Sequence, residues 1–129
     1  MRSENTGKDS INPVSANNPQ VLDLDYLTQA CGGDTIFVKE LLELFVADTQ
    51  TRLQQAQAAT GSSDLKTLEN IMHHIRGASA NVGAKAVQTL AAQLEQQAEV
   101  GNLENAVSLL AQLEEAYDAV TALVATSTL

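Results

Sequence analysis

From residue 20 to its end the chain contains no proline. Proline costs about 3 kcal/mol inside a helix. Its absence over so long a stretch, in a background rich in Ala, Leu, Gln and Glu, leaves helix as the favoured local state. Glycine then supplies the punctuation. Gly32 and Gly33 end a short first helix that Asp23 is placed to cap. Gly61, Gly83 and Gly101 divide the remainder into segments of roughly 17 to 27 residues, suitable for bundle helices. Capping residues follow the breaks: Asp34, then Ser62, Ser63 and Asp64, then Asn102.

Apolar residues recur at helical spacing in each segment. Ile36, Leu41, Leu44, Phe45 and Leu53 mark one stripe, and Leu65, Leu68, Met72, Ile75 and Val82 a second. Val87, Leu90, Ala91 and Leu94 make a third; Leu103, Ala106, Leu110, Leu113, Tyr117, Val120 and Val124 make a fourth. The expected fold is all-α, an antiparallel up-down four-helix bundle with a short additional N-terminal helix. There is no internal repeat and no strand pattern. Residues 1–20 hold both prolines among Asn, Ser and Gly and read as a flexible leader or linker; residues 21–129 read as the folded domain.

A chain of 129 residues supports one core. Aromatics are only 3%, so aliphatic side chains and alanine must build it. The formal charge of −9 excludes the electrostatics of a nucleic-acid binder, which must neutralise phosphates, and disfavours an anionic membrane surface. No apolar run approaches the roughly 20 residues of a membrane span, and Arg2, Glu4, Lys8 and Asp9 interrupt any signal-peptide core. The lone Cys31 offers neither an internal disulfide nor a metal cluster. These features describe a cytoplasmic monomer whose natural partner is another protein.

Six of the seven glycines sit in the leader or at helix breaks; Gly77 lies inside a helix. There it costs about 1 kcal/mol relative to alanine. One account is a close helix crossing, but the azimuth argues against it. At about 100° per residue the stripe centres on Leu68, Met72 and Ile75, and His73 and Gly77 both point away from it. Helical side chains lean towards the N-terminus, so the residue at i+4 covers residue i. Gly77 is therefore the residue that would have covered His73, and leaves its imidazole bare. Arg76 leans onto the same patch, with Lys66 about two turns earlier on a similar azimuth. Asn70 and Ala80 complete a low-relief surface on which a protein could dock. A neutral imidazole nitrogen is a competent nucleophile, and a transferred phosphoryl group needs positive charge around its oxygens.

The string His73-His74-Ile75-Arg76-Gly77-Ala78-Ser79-Ala80-Asn81-Val82-Gly83-Ala84 resembles the histidine phosphotransfer (HPt) domains of two-component phosphorelays: His, any residue, an aliphatic, Lys or Arg, Gly, then small residues and a later Gly. The resemblance runs from residue 22 to about 124, with Gly32-Gly33-Asp34 before Phe37, Leu41 and Phe45 at the helix entry. It implies that His73 accepts a phosphoryl group from a receiver-domain aspartate and passes it to another receiver. Arg76 would neutralise the phosphoryl group and Gly77 would admit the receiver. The partners would be receiver domains of response regulators or hybrid histidine kinases. The chain would need no cofactor and no metal, since Mg²⁺ and the acidic pocket belong to the receiver. Glu95 falls where members place a polar residue near the histidine, often Gln; a carboxylate there would oppose a phosphoryl group. Without a nucleotide-binding segment the chain would be a carrier, not an enzyme.

His74 lies about 100° round the helix from His73, and Ala78 rather than a glycine stands four residues on, so it reads as a flanking residue. Three alternatives have distinct signatures. The phosphoacceptor segment of a sensor kinase typically follows its histidine with an acidic residue and later a proline; here His74 follows and no proline occurs. The phosphoacceptor domain of a chemotaxis-type kinase shares the motif. A metal-binding bundle needs Glu-x-x-His pairs, but Asn70 and Ile71 stand three residues before the two histidines. A plain helical scaffold explains the fold but not Gly77.

Overall fold

The structure, a computed structural model, describes residues 18–126. Among these residues five helices follow in order: α1 Leu24–Ala30, α2 Thr35–Gly61, α3 Leu65–Val82, α4 Lys85–Glu99 and α5 Leu103–Thr126. No strand occurs among the described residues. Each long helix packs on its sequence neighbour, and α5 closes back onto α2. That ring is the expected up-down bundle, with α1 laid against α2. Of the expected leader, residues 1–17 lie outside the described residues. Residues 18–20 form a turn held on the bundle, where Gln20 O accepts a hydrogen bond from Ala86 N at 2.8 Å.

The boundaries follow the capping chemistry. Asp23, Asp34 and Asp64 each accept a hydrogen bond from the backbone N–H three residues on, and Asn102 does the same for Asn105 N. Each satisfies a donor that a helix start leaves orphaned. The Thr67 hydroxyl, and then its backbone N–H, hold the exposed Asp64 carboxyl below the usual aspartate range. One break differs from expectation. Helix α2 runs through Gly61, and the left-handed residue is Ser63 at φ 56°.

Gly83 is the glycine of close approach. It ends α3 at φ 78°, and a Cβ there would meet Asp23 Cβ at 3.2 Å and Tyr26 Cδ2 at 3.3 Å. Its carbonyl accepts from Asp23 N at 2.9 Å. The α3–α4 turn and the chain entering α1 are thereby fixed together, with Val21 and Leu22 buried beneath.

The core is aliphatic, as the scarcity of aromatics requires. Leu68, Met72 and Ile75 of α3 are fully buried in one core with Val87, Ala91 and Leu94 of α4 and Leu113 and Val120 of α5. Buried Ser79 turns its hydroxyl back onto Ile75 O at 2.7 Å, the usual refuge of a helical serine without other partners. Tyr117 donates to Val46 O at 2.7 Å, tying α5 to α2. Burial, and then the neighbouring Asp118 charge, raise its phenol above the ordinary tyrosine range.

The α2 stripe is a correction. Its core face is Val38, Leu42, Phe45, Thr49, Leu53, Ala56 and Ala59. Ile36 is 73% exposed and Leu44 67%, while Leu41 is half-buried. The expected stripe mixed two sides of a helix that carries apolar residues on both.

Candidate functional site

Helix α3 presents Lys66, Asn70, His73, Gly77 and Ala80 at spacings of four, three, four and three, so they share one face. Met72 and Ile75, on the opposite face, anchor the helix in the core. Whatever projects from the outer face is therefore held by a rigid element. His73 is 68% exposed. Beyond the helix's own backbone, an added Cβ at Gly77 would meet no atom of the described residues within 4 Å. That is open space, not a helix crossing.

The imidazole is nevertheless fixed in orientation. His73 Nδ1 lies 3.0 Å from Glu95 Oε2, on α4. The other oxygen, Glu95 Oε1, takes Arg76 Nε at 3.0 Å. Arg76 Nη2 also approaches His73 Nδ1 at 3.1 Å. One nitrogen cannot donate to the carboxylate and accept from the guanidinium in the same tautomer. The carboxylate decides the matter. An N–H donated to an ionised oxygen is charge-assisted, whereas a bare Nδ1 would set its lone pair against that anion. Arg76 keeps its own charge-assisted bond to Oε1 in either case. The imidazole is thus the Nδ1–H tautomer, with the lone pair on Nε2. Among the described residues Nε2 has no hydrogen-bond partner, and it is the ring nitrogen farther from the backbone.

Glu95 does more than the sequence suggested. Placed there only loosely near the histidine, it is 20% exposed and contacts both His73 and Arg76. Its charge is matched by Arg76. The ring faces a neutral ion pair rather than a bare anion.

The other expected residues sit around this cluster. Lys66 is 77% exposed, and its Nζ reaches Glu69 at 3.5 Å, a surface pair of little energetic weight. Asn70 is exposed and Ala80 half-buried; neither has a side-chain contact that ties it to the imidazole. His74 points elsewhere. Its Nε2 lies 3.3 Å from Asp48 Oδ2 on α2, an oxygen also bonded to Arg52 Nε at 3.2 Å.

Sequence reasoning missed the surface beside His74. Phe37, Leu41, Leu44 and Asp48 follow one face of α2 at spacings of four, three and four, and Asp48 turns that face towards α3. Phe37 is 46% exposed and Leu44 67%. Burying such a side chain fully is worth about 1.5–3 kcal/mol, so leaving both outside forgoes stability that the bundle does not recover. The available signal was an excess of large apolar residues over what one α2 face can bury.

No group of three or more metal-ligating side chains occurs among the described residues, and no helix there is long and apolar enough to cross a membrane.

Comparison with known proteins gives a consistent picture. Residues 40–123 match the model of the Hpt domain. Over 90 residues the chain is 33% identical to "Histidine-containing phosphotransfer protein 2" of Arabidopsis thaliana, covering 67% of this chain and 58% of that protein. This chain therefore spans little more than half the length of that relative. The crystal structure of histidine-containing phosphotransfer protein B from Pseudomonas aeruginosa superposes with a TM-score of 0.76 at 30% identity, over 81% of this chain and 90% of the other. The HPT domain of a Shewanella sensor hybrid histidine kinase gives 0.68 at 20% identity, over 87% and 100%, a likeness of fold.

Proposed function

Because the chain belongs to the Hpt domain family, we propose that it is a phosphorelay carrier, a cytoplasmic monomer without an ATP site, and that His73 holds the phosphoryl group. A receiver domain of a response regulator or hybrid kinase supplies it, and another receives it. The observation that carries this reading is the outward, unpartnered Nε2 of His73, with Nδ1–H held by Glu95.

The chemistry follows from that tautomer. The Nε2 lone pair attacks phosphorus of the receiver's aspartyl phosphate. The P–O bond to the aspartate breaks, and its carboxylate leaves. The ring now carries phosphorus on Nε2 and a proton on Nδ1, hence a positive charge, which Glu95 stabilises across 3.0 Å. In the return step a receiver aspartate attacks phosphorus and the P–N bond breaks. Because Nδ1 kept its proton, the departing imidazole is neutral rather than an anion, a far better leaving group. Arg76, 43% exposed, can turn its outer nitrogens to the phosphoryl oxygens without giving up Glu95. Gly77 leaves room for the receiver's approach.

The α2 face of Phe37, Leu41 and Leu44 fits a docking role, since exposed apolar surface next to a reactive group marks an interaction site. Lys66, Asn70 and Ala80 would form its rim along α3. Incubating the chain with a phosphorylated receiver and mapping the label tests the reading: His73 should be labelled, and His73→Gln should not. Label that survives in His73→Gln and disappears in His74→Gln would sink the assignment.

A further inference from the structure

The surface grooves differ in charge. Between α2 and α5 a groove is lined by Glu114 and Asp118, with Gln50, Gln54, Gln57 and Tyr117 among its other walls and no cation among the described residues. Beside the phosphoacceptor, on the α3–α4 side of the ring, a groove of about 530 Å³ is lined by Arg76 and Lys85 together with Gln20, Gln88, Thr89 and Gln93. Among the described residues no carboxylate lines it. In a chain of net charge −9 with only seven basic residues, two cations sharing one groove next to His73 invert the prevailing sign.

The two cations differ in freedom. Arg76 is bonded to Glu95 at 3.0 Å and committed to the imidazole cluster. Lys85 is 49% exposed, and its Nζ only grazes Asp23 Oδ2 at 3.5 Å, while Asp23 Oδ1 caps α1. A contact of that length on the surface is worth little, so the ammonium can swing into the groove at small cost. The amides of Gln20, Gln88 and Gln93 and the Thr89 hydroxyl offer further hydrogen-bond donors without adding charge.

We propose that this groove receives a carboxylate-bearing segment of the receiver docked on His73, with Lys85 as its charge partner. The inference rests on the phosphocarrier reading above and adds a polar contact, on the α4 side of His73, to the apolar face on the α2 side. Charges at the rim of an interface chiefly govern association rate and salt dependence, so Lys85 acts on encounter and not on the chemical step.

The test uses the full chain and the receiver that phosphorylates it fastest, with transfer measured against receiver concentration. Lys85→Glu should raise the half-saturating concentration by about three- to tenfold and flatten the salt dependence, leaving the saturated rate unchanged. Lys85→Arg should behave as the parent. Gln88→Glu, which keeps Lys85 but adds an anion to the groove, should shift half-saturation the same way by a smaller factor. Glutamate suits the first turn of a helix, so the Lys85 variant should fold, and its thermal unfolding confirms that. Phosphoramidate, a small donor that needs no docking, should label His73 equally in all variants. If the parent accepts phosphoryl from phosphoramidate but from no receiver, the phosphocarrier reading fails. If receivers serve the parent and Lys85→Glu leaves half-saturation unmoved, the groove proposal alone fails. Inorganic phosphate that competes for the groove, with no charge-reversal effect on receiver binding, would make it a small-anion site and overturn the proposal.

Discussion

His73 and His74 are neighbours in the chain, and each meets a carboxylate from another helix that also holds an arginine. They differ in which ring nitrogen is engaged. His73 gives its inner nitrogen, Nδ1, to Glu95, so the outer Nε2 carries a free lone pair. His74 gives its outer nitrogen, Nε2, to Asp48, and what remains is Nδ1, hemmed in by its own backbone. The residue four positions on reinforces the contrast: open space surrounds Gly77 beyond its own helix, whereas Ala78, four residues on from His74, is half-buried against the core. Two nearly identical sets of groups thus leave one histidine with its outer nitrogen unpartnered among the described residues and tie the other's across to a second helix. The lesson is that a histidine's chemistry is set by where its first hydrogen bond falls, not by the partners it has.

The largest effect should come from removing the free nitrogen. His73→Gln should abolish phosphoryl uptake from a receiver to the limit of detection, while His74→Gln stays within about twofold, since acid–base and nucleophilic groups carry factors of 10² or more and tethers do not. Comparable losses in the two variants would dissolve the comparison. Next in size is the group that sets the tautomer. Glu95→Ala should slow transfer in both directions by on the order of tenfold or more, and nitrogen chemical shifts of the His73 ring should show the Nδ1–H form losing its dominance. Glu95→Gln keeps an acceptor but not the charge and should fall between the two. An unchanged tautomer population in Glu95→Ala would break the link between hydrogen bond and nucleophile.

How much of this was legible in the sequence can be traced residue by residue. Helix existence and the breaks at Gly32-Gly33, Gly83 and Gly101 were readable because proline, glycine and capping side chains act locally. So was the separation of His73 from His74, which needs only the helical azimuth and a glycine four residues on. Glu95 was placed near His73 but not on it. Its contact spans 22 positions and depends on the register of α4 against α3. The tether from His74 to Asp48 crosses between helices in the same way. The α2 error has a different origin. Ile36 and Leu44 look like core residues by type, and only the burial of Val38 and Leu42 beside the expected Phe45 and Leu53 reveals that they are spare. A surplus of apolar residues is visible in sequence; which of them is surplus is decided by packing.

Access provides the third test. Gly77→Leu should slow receiver-dependent transfer by several-fold to about tenfold while phosphoramidate labelling of His73 falls less, because the side chain obstructs a docked domain more than a small donor. The mirror experiment is smaller. Asp48→Ala frees Nε2 of His74, and in a His73→Gln background it should permit weak phosphoramidate labelling of His74, well below that of the parent His73. No label at all would mean that Ala78 and the neighbouring surface, rather than Asp48, keep His74 inert.

The smallest effect separates stability from access at one position. Beyond the helix's own backbone, no atom of the described residues lies within 4 Å of a Cβ added at Gly77, so alanine there meets no steric penalty and recovers helix propensity. Gly77→Ala should therefore stabilise the fold by up to about 1 kcal/mol, read as a rise in the urea midpoint at unchanged slope. A single methyl group covers little of the ring, so transfer should stay within about twofold. Ala78→Gly is the counterpart at His74 and should cost at least about 1 kcal/mol, since that methyl also packs against the core, without any gain in labelling at His74, whose outer nitrogen remains on Asp48. If Gly77→Ala instead destabilised the bundle, the glycine would be serving a close contact after all. The openness of His73 would then be a by-product of packing and not the reason that a costly residue stands in the middle of α3.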